Sequence, residues 1–224
     1  MGKARSRLRA IAAAGMGWCA MHAAIGGTPD DDFERQASPD ARQAAQWVLD
    51  ASDNAGLPFA IVDKKSARLF VFAPGGQIVG AAAALLGEAA GDHTVPGVGD
   101  KPPSQVLPGE RTTPAGRFMT EPGRNLSGER VVWLEYESGF AIHRVRPDRA
   151  QQRRLQQLAS ASPDDNRSTL GCVVVDDDFY AGVVLPHLGR RAVVYVLPET
   201  RPVASLFESV RVASSDGAVP AQSR

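Results

Sequence analysis

Cysteine is scarce in this sequence of 224 residues, which contains only Cys19 and Cys172. Beyond residue 27 the chain has one cysteine and three histidines (His93, His143 and His187), which form no closely spaced pairs, so the ligand pattern of a zinc site is missing there. The Gly-x-Ser-x-Gly turn of serine hydrolases is missing as well, and Gly97-Val98-Gly99 does not open a helix as a dinucleotide-binding loop would. These absences predict a protein without a metal or another cofactor, and they favour cysteine chemistry.

An excess of basic charge is also missing, because 25 lysines and arginines balance 25 aspartates and glutamates. Nucleic-acid-binding proteins need a basic surface, so this balance argues against a nucleic-acid partner. The first acidic residue is Asp30, and four basic residues precede it: Lys3, Arg5, Arg7 and Arg9. Without those four, the chain has 21 basic and 25 acidic residues and a net charge of −4.

Residues 1–27 have the layout of a secretory signal peptide, with a basic segment, an apolar run from Ala10 to Ile25, and then two glycines. The run is shorter than the roughly 20 residues that a membrane span needs. We therefore expect export to the periplasm or cell envelope, with peripheral membrane attachment if the N-terminus stays uncleaved. Removal of this segment removes Cys19 and leaves Cys172 alone. A lone thiol in an exported protein indicates reactivity or intermolecular pairing; the alternative is an inert buried cysteine.

Residues 28–55 are predicted to form a lead-in and an N-terminal helix, because Ser38 can cap a helix that begins at Pro39. From Pro58 the apolar period changes to two, which predicts strands over 59–63, 68–72, 77–86, 117–119, 131–136, 140–145 and 192–197. Residues 147–159 have helical character. We predict one mainly β domain over residues 56–200 with a few short helices, followed by a partly disordered tail over 201–224.

Cys172 lies where a polar glycine turn, Ser168-Thr169-Leu170-Gly171, meets the apolar run Val173-Val174-Val175, which predicts a buried strand. A thiol needs a base to become a thiolate near neutral pH, and His143 at the end of another apolar run can supply one. Gly171 permits a tight turn and a close approach of substrate, and the backbone N–H groups of Gly171 and Cys172 can point at an oxyanion. Ser168 or Thr169 would hold the turn or contact substrate. The alternative for His143 is a core histidine at a strand end.

These residues resemble the L,D-transpeptidase catalytic domain of bacterial cell-wall enzymes. The resemblance rests on Ile142-His143 and on the Ser168-to-Cys172 turn, with support from Thr112–Phe118 and from the hairpin that contains Val62-Asp63-Lys64-Lys65. It covers about residues 58–198. It implies an L,D-transpeptidase-like β-sandwich with the cysteine in a cleft and with peptidoglycan stem peptides as partners.

The resemblance also implies the chemistry. Cys172 would attack the bond after the third residue of the stem peptide, and the terminal D-alanine would leave. The thioester would then pass to an amine or to water, with His143 as the base and the Gly171-Cys172 amides as the oxyanion hole. Two alternatives remain open: an L,D-carboxypeptidase or amidase-type hydrolase on the same scaffold, and a non-catalytic envelope protein.

The chain departs from the family pattern in three places. Leu170 stands where the family commonly has a second histidine, and Val174 stands where it commonly has an arginine. The substrate carboxylate then needs another cation, and the sequence candidates are Arg144 and Arg167. The 28 residues between His143 and Cys172 exceed the usual spacing, so the helix over 147–159 would be an insertion.

Overall fold

A computed structural model describes residues 29–208 and residue 210; the predicted signal peptide, Cys19 and the last part of the predicted tail lie outside them. The strands are, in chain order, β1 Phe59–Asp63, β2 Arg68–Phe72, β3 Ile78–Ala83, β4 Leu86–Gly87, β5 Gly116–Met119, β6 Glu121–Arg124, β7 Arg130–Glu135, β8 Phe140–Arg144, β9 Arg167–Thr169, β10 Val173–Val175 and β11 Val193–Val196. The helices are α1 Pro29–Gln36, α2 Pro39–Asp50, α3 Gln151–Ala159 and α4, which runs without a break through Asp177–Phe179, Tyr180–Val184 and Leu185–Leu188.

Two sheets pack face to face. The first has the strand order β3-β2-β1-β11-β5 and the second has the order β10-β8-β7-β6, while β4 and β9 form a small third sheet. Along β1, Ala60 and Val62 enter the core between the two sheets, whereas Phe59 and Ile61 enter a second core beneath the helices. Because β1 is covered on both faces, its sequence is an unbroken apolar run rather than an alternating one. The prediction of a mainly β sandwich with a few short helices is confirmed.

The helical layer is larger than the sequence predicts at both ends. Ser38 caps α2 as expected, with its Oγ accepting from the Ala41 amide at 3.1 Å. The predicted lead-in, however, contains helix α1, whose Phe33 packs edge-on against a phenylalanine of β2. Residues 204–208 are helical too, and Phe207 stacks on Trp47 with ring centroids 4.4 Å apart. The folded unit thus extends past residue 200, and no helix within the described ranges is long and apolar enough to cross a membrane.

The predicted strand over 77–86 is divided between two sheets. The chain leaves the first sheet after β3 and crosses to the nucleophile region, where Leu85 and Val174 exchange backbone hydrogen bonds of 2.7 and 2.9 Å. Strands β6 and β9 have no counterpart in the prediction because neither shows apolar alternation: β6 contains Pro122-Gly123, and β9 is Arg-Ser-Thr. The predicted helix over 147–159 is present as α3, which begins four residues later.

Candidate active site

Cys172 and His143 lie on the same outer face of the four-stranded sheet. Strands β8 and β10 are parallel neighbours, with Val173 opposite Ile142 and Val174 opposite His143. Since side chains alternate along a strand, Ile142 and Val173 point into the core, and the two candidate residues point away from it. They line one cavity of about 240 Å³, the histidine-side cavity, together with Arg146, Arg154, Ser168, Thr169, Leu170 and Val174.

The His143 ring has a defined orientation. Its Nδ1 lies 2.8 Å from the Arg144 carbonyl oxygen, which can only accept a hydrogen bond, so Nδ1 carries the proton and Nε2 keeps the lone pair. Burial lowers the pKa of His143 to about 4, and the nearby positive charges of Arg146 and Arg154 act in the same direction, outweighing the hydrogen bond to Arg144 and the charge of Glu129. At neutral pH the imidazole is therefore a neutral base.

The Cys172 thiol is partly buried and is a free cysteine. It donates a 3.4 Å hydrogen bond to the Gly139 carbonyl. Burial raises the pKa of Cys172, while the Ala141 amide and the charge of Arg146 act against that rise. With a neutral imidazole and a raised thiol pKa, the resting pair is a thiol beside a base rather than a preformed ion pair.

Two threonines hold the nucleophile turn. The Thr169 hydroxyl accepts from the Gly171 amide at 3.1 Å and donates to the Cys172 carbonyl at 2.7 Å. The buried Thr113 hydroxyl donates to the Gly171 carbonyl at 2.8 Å and accepts from the Gly87 amide at 2.8 Å. The turn needs glycine at position 171, where φ is +135° and a Cβ would lie 2.7 Å from the Thr112 carbonyl oxygen.

This turn changes the predicted oxyanion hole. The Gly171 amide is committed to Thr169 inside the turn, so it does not point at substrate. The Cys172 amide is the donor that remains from the predicted pair. Gly171 therefore serves the site through its conformation rather than through its N–H group.

A buried charge network, which we call the Lys64 network, supports the turn from inside; it consists of Lys64, Asp92, Arg167 and Glu199. The Lys64 ammonium donates to the Gly91 carbonyl at 2.6 Å, to Asp92 at 2.9 Å and to the Thr113 carbonyl at 2.9 Å. Arg167 pairs with Glu199 and donates to the Lys64 carbonyl at 2.9 Å. The network thus holds Thr113, which contacts the turn, and Arg167, which begins the strand before it.

The charged side chains of the Lys64 network form ion pairs with one another. Burial alone would raise the pKa of Asp92, but hydrogen bonds from Thr200, Lys64 and the Glu199 amide hold that pKa well below its usual range. Burial lowers the pKa of Lys64, and Asp92 and Glu199 oppose the shift. Residues 29–208 and 210 contain no group of three or more His, Cys, Asp or Glu side chains that could hold a metal ion.

The sequence candidates for carboxylate binding lie elsewhere. The Arg144 side chain lines neither cavity: its Nη1 is 3.1 Å from both carboxylate oxygens of Asp177, and its Nη2 is 3.5 Å from Glu129, which also contacts Arg146. Arg167 is part of the Lys64 network. Instead, Arg146 and Arg154 line the histidine-side cavity. Arg146 lies two residues beyond the end of β8, where strand alternation no longer indicates the direction of a side chain, so no sequence pattern pointed to it.

Ser168, Thr169 and two of the three departures from the family pattern, Leu170 and Val174, line the histidine-side cavity. The Ser168 hydroxyl bonds to Gln157 of α3 at 3.1 Å, so the predicted insertion forms a wall of the site. Val174 is 3% exposed and forms part of the cavity lining. Leu170 is 42% exposed and stands at the mouth.

A second cavity of about 220 Å³, the loop-side cavity, opens on the other side of Cys172. It is formed by segments of residues 94–114 and by the turn between β7 and β8, and it shares Cys172, Arg146 and Leu170 with the first cavity. The thiol can therefore be approached from two directions. Arg146 is the cation common to both.

Comparisons with known proteins place this geometry beside two solved structures. No protein-family model matches the chain, and no curated protein matches it in sequence. The chain is similar to Bd1075 of Bdellovibrio bacteriovorus, with 15% identity, a TM-score of 0.37 and coverage of 70% of this chain and 56% of that one. It is also similar to the catalytic domain of an E. faecium L,D-transpeptidase, with 14% identity, a TM-score of 0.33 and coverage of 62% and 95%. The chain spans just over half of the Bdellovibrio protein, and the chemistry of the site has to follow from the residues of this chain.

Proposed function

We propose that this protein is an exported cysteine L,D-transpeptidase that acts on peptidoglycan stem peptides through a thioester on Cys172. The observation that carries the proposal is the shared cavity of Cys172 and His143, in which the Arg144 carbonyl fixes Nδ1 as the donor and leaves the Nε2 lone pair for the thiol proton. The sequence resemblance at Ile142-His143 and at the cysteine turn supports the choice of substrate.

The reaction runs in two balanced halves. His143 Nε2 takes the thiol proton as Sγ attacks the carbonyl carbon of the third stem residue, and the Cys172 amide stabilises the oxyanion. The carbon–nitrogen bond then breaks, the imidazolium gives its proton to the departing amine, and D-alanine leaves. In the second half an amine attacks the thioester carbon and loses its proton to His143, the carbon–sulfur bond breaks, and the imidazolium returns that proton to the Cys172 thiolate.

The two cavities suit the two substrates. The leaving amine and the incoming amine both exchange a proton with His143, so they belong in the histidine-side cavity. The acyl donor then occupies the loop-side cavity, which meets the first one at Cys172. Arg146 borders both cavities and is the cation we assign to the substrate carboxylate, in place of Arg144 and Arg167.

The test is release of D-alanine from a disaccharide-tetrapeptide. Cys172→Ala and His143→Gln are expected to lower the rate by about 10³-fold or more, because each removes a member of the nucleophile–base pair. His187→Gln, in α4 and away from both cavities, is the matched control and is expected to keep the wild-type rate. Undiminished release by Cys172→Ala would rule out the proposal.

Product masses separate transfer from hydrolysis. A crosslinked dimer indicates transpeptidation, whereas a tripeptide alone indicates the carboxypeptidase alternative on the same nucleophile. Incubation with a carbapenem is expected to give a covalent adduct on Cys172, which the mass of the intact protein reports. If the protein is a non-catalytic envelope protein, the adduct will not form and D-alanine will not be released. Export is tested separately by N-terminal sequencing of the protein recovered from the envelope fraction.

A further inference from the structure

A third cavity of about 800 Å³, the aromatic groove, adjoins the loop-side cavity. Its floor carries Trp133 and Tyr136, whose rings meet edge to face with centroids 5.1 Å apart. Tyr136 is 71% exposed, and Leu126 beside it is fully exposed. Solvent-exposed aromatic rings grouped in a concave surface are typical of a binding site rather than of a solvated sheet face.

The floor of the groove is built by the sequence of β6 and β7. Gly123 of β6 has no side chain, and a Cβ there would lie 2.4 Å from the Trp133 indole nitrogen. The indole therefore lies directly over the β6 backbone. On the opposite wall, a Cβ on Gly99 would lie 2.1 Å from the Glu137 carbonyl oxygen, so the loop over 94–100 packs closely on the β7–β8 turn. Glycine at both positions makes the groove possible.

The groove lies on the same sheet face as the nucleophile. Trp133 of β7 is opposite Ala141 of β8, and the Ala141 amide points to the Cys172 sulfur. The Trp133 backbone therefore lies two strand spacings, about 10 Å, from the strand that follows Cys172, and the indole over β6 lies about one spacing farther away. The groove and the loop-side cavity share part of their lining, namely Thr94, Val98, Gly99, Ser138 and Gly139.

The polar rim limits the chemistry of the ligand. The groove is lined by three exposed carboxylates, those of Asp100, Glu135 and Glu137, and by one cationic side chain, Arg124, so negative charge predominates. Carboxylate oxygens accept hydrogen bonds from hydroxyl and amide donors, and they disfavour an anionic ligand such as a phosphate. Aromatic rings add an apolar surface against which a flat C–H face can pack. A neutral, hydroxyl-rich ligand with one apolar face meets both conditions.

We propose that the aromatic groove binds the amino-sugar glycan to which the stem peptide is attached. This inference rests on the proposed function for the identity of the peptide. The muramic carboxyl group is consumed in the amide bond to the peptide, so the glycan carries no charge at that point. Three extended residues span about 10 Å, and the sugar ring itself fills the rest of the roughly 14 Å between the indole and Cys172. A sugar in the groove thus places the third residue of its stem at the nucleophile.

The test compares two substrates that differ only in the sugar. For the wild type, KM for the disaccharide-tetrapeptide is expected to be about 10-fold lower than KM for the free tetrapeptide. Tyr136→Ala is expected to raise the first KM by about 5- to 10-fold and to leave the second unchanged, because only the first substrate reaches the ring. Tyr136→Phe keeps the ring and is the matched conservative variant. Leu107→Ala, an exposed apolar residue outside the groove, is the control for surface truncation.

A binding measurement keeps the proposal independent of catalysis. Calorimetry of the Cys172→Ala protein with a neutral probe, an N-acetylglucosamine oligomer that carries no carboxyl group, is expected to detect binding, and adding Tyr136→Ala is expected to weaken it by about 5- to 10-fold. Binding of glycan by a protein that releases no D-alanine would retain the glycan site and reject the proposed reaction. Absence of glycan binding, equal KM values for the two substrates, or a Tyr136-dependent dimer in sedimentation would overturn the glycan site.

Discussion

The two sides of the Cys172 turn differ in how completely their polar groups are paired. On the inner side, Thr113 and the Lys64 network give the Gly171 carbonyl, the Gly87 amide and the buried charges close partners at 2.6 to 2.9 Å. On the outer side, Leu170 and Tyr136 are exposed to solvent, and the one ion pair of Arg146 among the described residues is a 3.6 Å contact with Glu129. The inner side is built for rigidity, and the outer side is built for contact.

This difference separates two kinds of contribution to a reaction. A nucleophile must be held in place by groups that do not move, which requires buried and fully paired support. Substrate recognition instead needs groups that can exchange water for ligand. Substitutions on the inner side are therefore expected to change stability and thiol position, whereas substitutions on the outer side are expected to change KM.

The largest expected effect comes from breaking the inner side at Lys64. Lys64→Met leaves Asp92 and Glu199 without their buried ammonium partner, which is expected to cost about 3–5 kcal/mol of unfolding free energy. The neighbouring Lys65→Met is the matched control. Lys65 pairs with Asp40 at the surface, its side chain is 47% exposed, and its loss is expected to cost about 0–1 kcal/mol. Urea unfolding measures the free energy of unfolding of both variants, and an equal loss in the two would remove the distinction between the inner and outer sides.

His143 connects the two sides, because its Nδ1 is hydrogen-bonded to the Arg144 carbonyl and its Nε2 keeps a lone pair for the thiol proton. The pKa of His143 is about 4. We therefore expect kcat/KM at pH 5 to stay within about 10% of its plateau value. A histidine of ordinary pKa, about 6.5, would instead lose about 30-fold there. A pH–rate profile of D-alanine release decides between them.

The same lowered pKa affects stability, so the profile needs a control. The unfolded chain binds a proton at His143 before the folded chain does, and the unfolding free energy falls as the pH drops from about 6.5 towards 4. Initial rates should therefore be accompanied by tryptophan fluorescence, which reports whether the protein is still folded. An acid limb near pH 6.5 in a folded protein would show that His143 is not the buried base described above.

The sequence was most informative where local pattern decides structure. Phe59–Asp63 and Arg68–Phe72 agree with the predicted strands to the residue, because an unbroken apolar run bounded by turn residues has few alternatives. Each of these strands is a property of one local run. The candidate pair meets for a different reason: β8 and β10 pair in parallel with Cys172 level with Ala141, and alternation puts Cys172 and His143 on the same face.

The sequence was least informative where long-range pairing decides structure. Lys64 lies in a polar turn pattern, Val62-Asp63-Lys64-Lys65, and nothing local distinguishes it from Lys65, which lies at the surface. Its partners, Asp92 and Glu199, are 28 and 135 positions away. The predicted arginines failed to reach the cavity for a related reason: Arg144 pairs with Asp177, 33 positions away, and its side chain lines neither cavity.

A smaller effect is expected from Thr113, the link between the Lys64 network and the turn. Thr113→Val keeps the shape but leaves the Gly87 amide and the Gly171 carbonyl without their buried partner, at a cost of about 1–3 kcal/mol. Thr112→Val, whose hydroxyl bonds to the His93 carbonyl at an exposed position, is expected to change stability by less than about 0.5 kcal/mol. Thr113→Ser should restore the rate of Cys172 alkylation if Thr113 positions the turn, and an unchanged rate in Thr113→Val would contradict that role.

The smallest effect on stability, and the sharpest on recognition, is expected at Arg146. Its side chain is 46% exposed, so Arg146→Gln is expected to change the unfolding free energy by less than about 0.5 kcal/mol. Because Arg146 borders both cavities at Cys172, the same change is expected to raise KM for the stem peptide by about 10-fold through loss of a carboxylate contact. Arg144→Gln is the matched control: it removes an equal charge two residues away from a side chain that lines neither cavity, and KM should stay the same. A rise in KM for Arg144→Gln alone would return the carboxylate to the residue that the sequence favoured and would place it outside both cavities.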